Sequence, residues 1–299
     1  MSDFIADVHF KSSKAETPED LKKENLGLPR FQVNRSIGKS EIVDRMKENI
    51  AEFSSIPRFK CRTKMSVCGY GPSLAETYRS INPALPIMTT SGAHDFLLDR
   101  GITPTWHIEC DPRPHKTFFI EKSHPDVTYL IASVCHPDMF RKLLAKKRNV
   151  VMWHAVTDVY KEQLSALREI EYGAHMVGGG SNAGLRAMLL AYHMGFRDID
   201  CHGIDFSYGN DNKVWAGEHS GQQHYMMEVE CNGRIFWSSD TMMNACQDFF
   251  ELMHSRYMGG CHFILHGEGL LAERVKLAAT DKEAADHDWV KPVIVKEVA

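Results

Sequence analysis

What the chain lacks narrows the field first. No apolar run approaches the ~20 residues a membrane-spanning helix needs. The start, Met1-Ser2-Asp3-Phe4-Ile5, has neither the basic nor the apolar stretch of a signal peptide, so a cytoplasmic location without a membrane span is the expectation. Charge of one sign is also missing: 35 Lys and Arg stand against 39 Asp and Glu, a net −4. Nucleic acid is therefore not an expected partner. The eight cysteines contain no C-x-x-C pair, and the sixteen histidines include no H-E-x-x-H. Neither a disulfide framework nor zinc is expected. Cys68, Cys110, Cys201 and Cys261 lie in or beside strand-like runs and read as buried thiols. There is no internal repeat and no low-complexity tract.

What is there reads as a globular α/β chain. Hydrophobic residues make up 43% and charged residues 25% of 299, the ordinary globular balance. Residues 1–60 read as a polar arm ending in a helix over 42–53. From residue 61 strands and helices alternate. Strands are expected at 65–68, 85–89, 105–110, 127–132, 149–153 and 198–203, with helices at 73–80, 92–100, 137–146, 157–170 and 182–194. Such β-α-β alternation predicts an α/β fold with a mainly parallel sheet and helices on both faces. The alternation breaks after Phe206, and a β-hairpin insertion is expected within 207–238, turning at Asn232-Gly233. A helix over 241–257 and a strand over 261–265 follow. The main domain is set at 61–267, and residues 268–299 read as a C-terminal tail.

Four loops could carry chemistry. The first, Gly69-Tyr70-Gly71-Pro72-Ser73, joins a strand to a helix. Its glycines permit a tight turn and close approach of a ligand, and a helix start attracts anions; close packing would use the same glycines. The second runs from His107 through Glu109, Asp111, Arg113 and His115, stiffened by Pro112 and Pro114. Asp111 there suits a metal or a ligand hydroxyl, Arg113 a phosphate, and His115 a proton transfer. The third, Gly178-Gly179-Gly180-Ser181-Asn182, can wrap an anion and cap the next helix. The fourth, His202-Gly203-Ile204-Asp205-Phe206-Ser207, ends a strand, and Asp205 there supplies a second carboxylate or merely a turn bonded to its own backbone. Residues 215–219 could add a lid with an aromatic platform, Trp215.

The order of these motifs resembles a known family. Val67-Cys68-Gly69-Tyr70-Gly71-Pro72-Ser73-Leu74 is similar to its G-x-GPSL motif. The segment 89–104, running into Glu109-Cys110-Asp111-Pro112, resembles its small residues, helix, "GI-x-P" and Asp-Pro pattern. Gly179-Gly180-Ser181-Asn182-Ala183-Gly184, then Gly195-Phe196 and Gly203-Ile204-Asp205-Phe206-Ser207, match its later glycine loop, core helix and "G-x-D". The family is the 6-hydroxymethylpterin diphosphokinase MptE-like domain, shared with the motility accessory factor (Maf) flagellin glycosyltransferases.

The resemblance implies a Rossmann-like α/β domain and a transferase with a nucleotide-linked donor. One branch moves pyrophosphate from ATP to a pterin alcohol, and another moves a nonulosonic sugar from its CMP form to a protein hydroxyl. This chain is expected to lean to glycosyl transfer. Gly69, Gly71, Pro72 and Ser73 would then hold donor phosphates, with Gly179, Gly180, Ser181, Asn182 and Arg113 as further contacts. Asp111 would bind a metal or donor hydroxyl, and His115 or Asp205 would assist proton transfer. Mg²⁺ is expected only if the donor is ATP. The acceptor could be a small molecule, a glycan or a protein hydroxyl, and a non-catalytic nucleotide-binding or assembly role is the remaining alternative. The first glycine turn departs from G-x-G-x-x-G, and no acidic residue ends a second strand, so NAD is not expected.

Overall fold

A computed structural model of the chain describes residues 5–9, 37–52, 64–157, 160–170, 176–209, 216–217, 226–254, 258, 260–280 and 294–296. The alternating stretch builds one side of a parallel sheet in chain order. It comprises β2 (Lys64–Cys68), β3 (Ile87–Thr90), β4 (Trp106–Glu109), β5 (Thr128–Ala132), β6 (Asn149–Ala155) and β7 (Met176–Val177). The chain then returns, and β8 (Asp198–His202) pairs in parallel on the other side of β2, with Cys68 opposite His202. Strand β11 (His262–His266) extends the sheet beyond β8 in parallel, and β1 (Ile5–His9) closes that edge antiparallel. The order is β1-β11-β8-β2-β3-β4-β5-β6-β7. Neighbouring strands β2 and β8 therefore send their connections in opposite directions, and a crevice opens between their carboxyl ends.

The apolar runs that marked the strands are core. Met65 and Val67 of β2, Ile199 and Cys201 of β8, and Phe263 and Leu265 of β11 are all buried. Helix α6 (Ala183–His193) covers this face, starting under the Asn182 cap and stopping before Gly195, at φ 104°. Leu185, Met188 and Leu189 fill the interface. The opposite face beside β2 and β3 is covered by α2 (Leu74–Thr77) and α3 (Ala93–Leu98), through Leu74, Phe96 and Leu97.

Helix α1 (Lys39–Glu52) docks by burying Ile42 and Met46, and Asn49 donates to the carbonyls of Ser133 (2.7 Å) and Cys135 (3.0 Å). Helices α4 (Pro137–Ala145) and α5 (Tyr160–Ile170) complete the crossovers. The hairpin forms as β9 (Met226–Cys231) and β10 (Arg234–Ser238), with Asn232 and Gly233 both at positive φ. A third strand, β12 (Ile294–Lys296), joins it. Helix α7 (Asp240–His254) follows the hairpin.

Two expectations change. Residues 5–9, placed in the polar arm, form an edge strand of the sheet. Residues from 268 onward are not simply a tail: Leu270–Thr280 is a helix, α8, whose Leu270, Leu271, Ala272 and Val275 are buried. Residues 1–4, 10–36 and 53–60 of the arm, Trp215 with the platform it was to carry, and residues 281–293 lie outside the described residues. No described helix is long and apolar enough to cross a membrane.

Candidate functional site

The crevice predicted by strand order is a cleft of ≈ 530 Å³ open to solvent. Its walls are residues 69–71 after β2, Thr90 and Ser91 at the end of β3, residues 182–184 at the start of α6, residues 203–207 after β8, and Met242 of α7. The first, third and fourth motif loops are thus brought together. Phe206 and Ser207 close the fourth loop and Thr90 and Ser91 fall in the segment 89–104, though none of the four is a site residue from sequence; Met242 is not singled out at all. Small polar residues directly after a strand, as in Thr90-Ser91, were the available signal.

The glycine turn after β2 is mated to the loop after β8. Gly69 N–H donates to His202 O (2.8 Å), Gly71 N–H to Gly203 O (2.9 Å), and Ser73 N–H to Asp205 Oδ2 (2.9 Å). Backbone approaches backbone so closely that a Cβ on Gly69 would sit 2.4 Å from Gly203 O, and one on Gly203, at φ 62°, 2.4 Å from Gly69 O. These three N–H groups are spent inside the protein, so the turn borders the cleft without offering them to a phosphate. Pro72 lies just ahead of Ser73, the N-cap of the short helix α2 behind it.

Asp205 occupies the anion seat of this turn. It is buried, with Gly71 and Gly269 packed against its carboxylate. Burial pushes its pKa up to about 6, although the Ser73 hydrogen bonding works the other way. The third loop repeats the device: Ser181 N–H and Oγ–H both donate to Asp248 Oδ2 of α7 at 2.7 Å. Burial likewise raises the Asp248 pKa. Asn182 caps α6 by accepting from Gly184 N–H (2.6 Å), while Gly180 O accepts from Arg186 Nε (3.1 Å). The α6 start faces the cleft through Asn182, Ala183 and Gly184; Gly179 and Gly180 pack behind it, against Arg186 and Leu185.

The second loop splits into three environments, none of them lining the cleft. His107 and Glu109 point into the core, where His107 Nε2 meets Glu109 Oε1 at 3.2 Å and His107 Nδ1 meets Thr89 Oγ1 at 3.1 Å. His94 lies beside His107 and reaches Tyr129 OH (3.0 Å). Burial lowers the His107 pKa to about 3 and raises that of Glu109 to about 8. Asp111, two strands away from β2, is gripped by Arg113, whose Nε lies 2.9 and 3.0 Å from its two carboxylate oxygens. Burial would raise the Asp111 pKa, but the hydrogen bonds and charge of Arg113, with Lys116, outweigh it and hold the carboxyl below its usual value. Arg45 of α1 fixes the same loop by donating to Pro112 O. His115 is exposed on the 3₁₀ segment Pro114–Ile120.

Mg²⁺ does not fit at Asp111 as folded. Both of its oxygens are engaged by Arg113, and Lys116 Nζ stands 3.9 Å away, which is a cation-rich setting. Among the described residues no group of three His, Cys, Asp or Glu side chains is arranged to hold a metal ion.

A doubly wound sheet with a crevice at its switch point defines a Rossmann-like α/β class. The family model described as "6-hydroxymethylpterin diphosphokinase MptE-like" matches residues 40–211, more than half of the chain, and the chain belongs to that family. Among solved structures it is similar to the MAf glycosyltransferase from Magnetospirillum magneticum AMB-1, at 18% identity and a TM-score of 0.55. The match covers 75% of this chain and 36% of that one, so this chain spans little more than a third of its neighbour's length. No curated protein matches the chain significantly.

Proposed function

We propose that the protein is a transferase taking a nucleotide-linked donor in the β2–β8 cleft, and that the group it moves is a sugar. The observation that carries this reading is the cleft's position at the switch point, walled by the start of α6 and by hydroxyl and amide side chains. Family membership supports a transferase, and the Maf-like fold agrees with a sugar as the group transferred. The lining residues include Thr90, Ser91, Asn182 and Ser207 but no Lys, Arg or His. Hydroxyl-matching walls without a cation suit a sugar and a donor of low charge better than a triphosphate. The α6 start is the place for the donor phosphate through its helix dipole, since the Gly184 and Ser181 N–H groups are already taken by Asn182 and Asp248.

Asp205 takes the acid–base role in this reading. It is the one carboxylate among the lining residues, and its pKa near 6 suits proton transfer close to neutral pH. Asp111, held ionised by Arg113, is a poorer base, and it stands with His115 farther along the same edge of the sheet, where an acceptor would approach.

The test is a thermal-shift panel of CMP, UDP, GDP and ATP, each with and without Mg²⁺. A ligand at ~100 times its Kd stabilises by about 2.7 kcal/mol. Stabilisation by CMP or UDP without metal is the expected result. A response to ATP alone, and only with Mg²⁺, would move the assignment to diphosphokinase chemistry. Silence across the panel would favour a non-catalytic assembly role.

A further inference from the structure

Among the described residues four other than glycine have positive φ: Ser91 (50°), Lys147 (55°), Phe206 (53°) and Asn232 (52°). Two have ordinary local reasons. Lys147 closes helix α4 through its N–H to Leu144 O (2.8 Å), and Asn232 opens the hairpin turn. The other two both line the cleft, at the ends of β3 and β8. Phe206 is accounted for by packing, because its side chain is buried in the main core. Ser91 is not: its side chain is only half-buried and borders the cleft.

A left-handed conformation costs serine free energy that glycine would not lose, and such strain persists where surrounding structure imposes it. Three contacts impose it here. Ser91 O accepts the His94 N–H at 3.4 Å as α3 begins. The Tyr70 ring lies so close to Gly92 that a Cβ there would meet it at 2.3 Å. Beneath the turn, the Ser91 N–H is directed at the buried Glu109 carboxyl, itself held by His107. The strain leaves a hydroxyl on the cleft wall where glycine would leave none.

We propose that Ser91 is a ligand-contacting, specificity-determining residue of the cleft, its Oγ hydrogen-bonding a hydroxyl of the bound donor. A serine hydroxyl both donates and accepts, as a sugar hydroxyl does. This inference rests on reading the cleft as the donor site.

The experiment compares the parent with Ser91→Gly and Ser91→Ala, following melting temperature and the Kd for CMP, UDP and ATP–Mg²⁺ by calorimetry. S91G is expected to melt above S91A, because it alone relieves the backbone. Both are expected to bind the parent's best nucleotide about three- to tenfold more weakly, the loss of one neutral hydrogen bond. Parent-like binding by both variants overturns the role of Ser91 while leaving the donor site intact. S91G melting no higher than S91A overturns the strain on which the inference stands. A parent that binds none of the three nucleotides overturns the donor site and this inference together.

Discussion

Ser73 and Asp205 lie 132 positions apart in the chain, yet the N–H of one donates to the carboxylate of the other at 2.9 Å. A carboxylate of the protein sits where the sequence alone suggests a phosphate. Because β2 and β8 are neighbours at the point where strand order reverses, this contact fastens the two walls of the cleft.

That carboxylate should make the fold pH-dependent in a definite sense. Its pKa rises from 3.8 unfolded to about 6 folded, so its stabilising contribution is complete below 3.8 and is lost as pH rises through about 6. The loss is on the order of 3 kcal/mol, at ~1.4 kcal/mol per pKa unit. Asp205→Asn removes the ionisation. It should melt above the parent at about pH 8, gain little at about pH 4, and lose transfer activity. An unchanged difference in melting temperature between the two pH values would show that Asp205 does not titrate as a buried acid.

The glycine pair gives a purely structural prediction. Gly203→Ala adds a Cβ 2.4 Å from Gly69 O at a φ of 62°, and backbone cannot swing aside as a side chain can. A loss above ~2 kcal/mol is expected, or several degrees in a domain of this size. Gly233→Ala is the control, with φ at 73° but nothing within 4 Å, and should cost only about 1 kcal/mol. Similar costs for the two, measured by urea unfolding, would mean that the loops can separate without harm.

Asp111→Asn tests the alternative centre. A half-exposed ion pair contributes ~0–1 kcal/mol, so the melting temperature should move little. Nucleotide affinity should stay within about threefold, since Asp111 does not line the cleft. Abolished binding in titration calorimetry would relocate the donor to the β4 end.

Thiol chemistry checks the core. Cys68, Cys135 and Cys201 are fully or almost fully buried, and burial raises all three pKa values. They should be inert to a thiol reagent in the native protein and react once it is denatured. Rapid native labelling of all three, read by mass spectrometry, would contradict the sheet described above.

Much of the fold was legible because buried parallel strands are short apolar runs and the covering helices carry their own period. Strands β2 to β6 and β8, and the Asn182-to-Gly195 helix, follow from those signals. The two-residue β7 is too short to leave a pattern. Edge strand β1 pairs with β11 from the other end of the chain, a partner that nothing local in Ile5–His9 names. The site was half legible. Loops at strand ends were identifiable, but which strand ends converge depends on strand order, and nothing local in Asp111 or Asp205 reveals it. Glycines that admit a ligand and glycines that admit another backbone leave the same mark; Gly69 and Gly203 belong to the second kind. Ser91 shows only as one small residue after β3, and its positive φ leaves no mark, since a strained serine is spelled like a relaxed one.

The insertion of β8 between β2 and β11 has a consequence for how the molecule comes into being. A ribosome delivers β2 through β7 first, and during that interval β2 stands as an unprotected edge with its hydrogen-bonding groups unpaired. The cleft does not exist until residues 198–207 have emerged and slotted beside it. Such distant pairing is slow to form and leaves the half-made sheet prone to stray association. If the cleft is the donor site proposed above, a nucleotide supplied during refolding favours the seated β8 and raises the yield of soluble protein before any chemistry takes place.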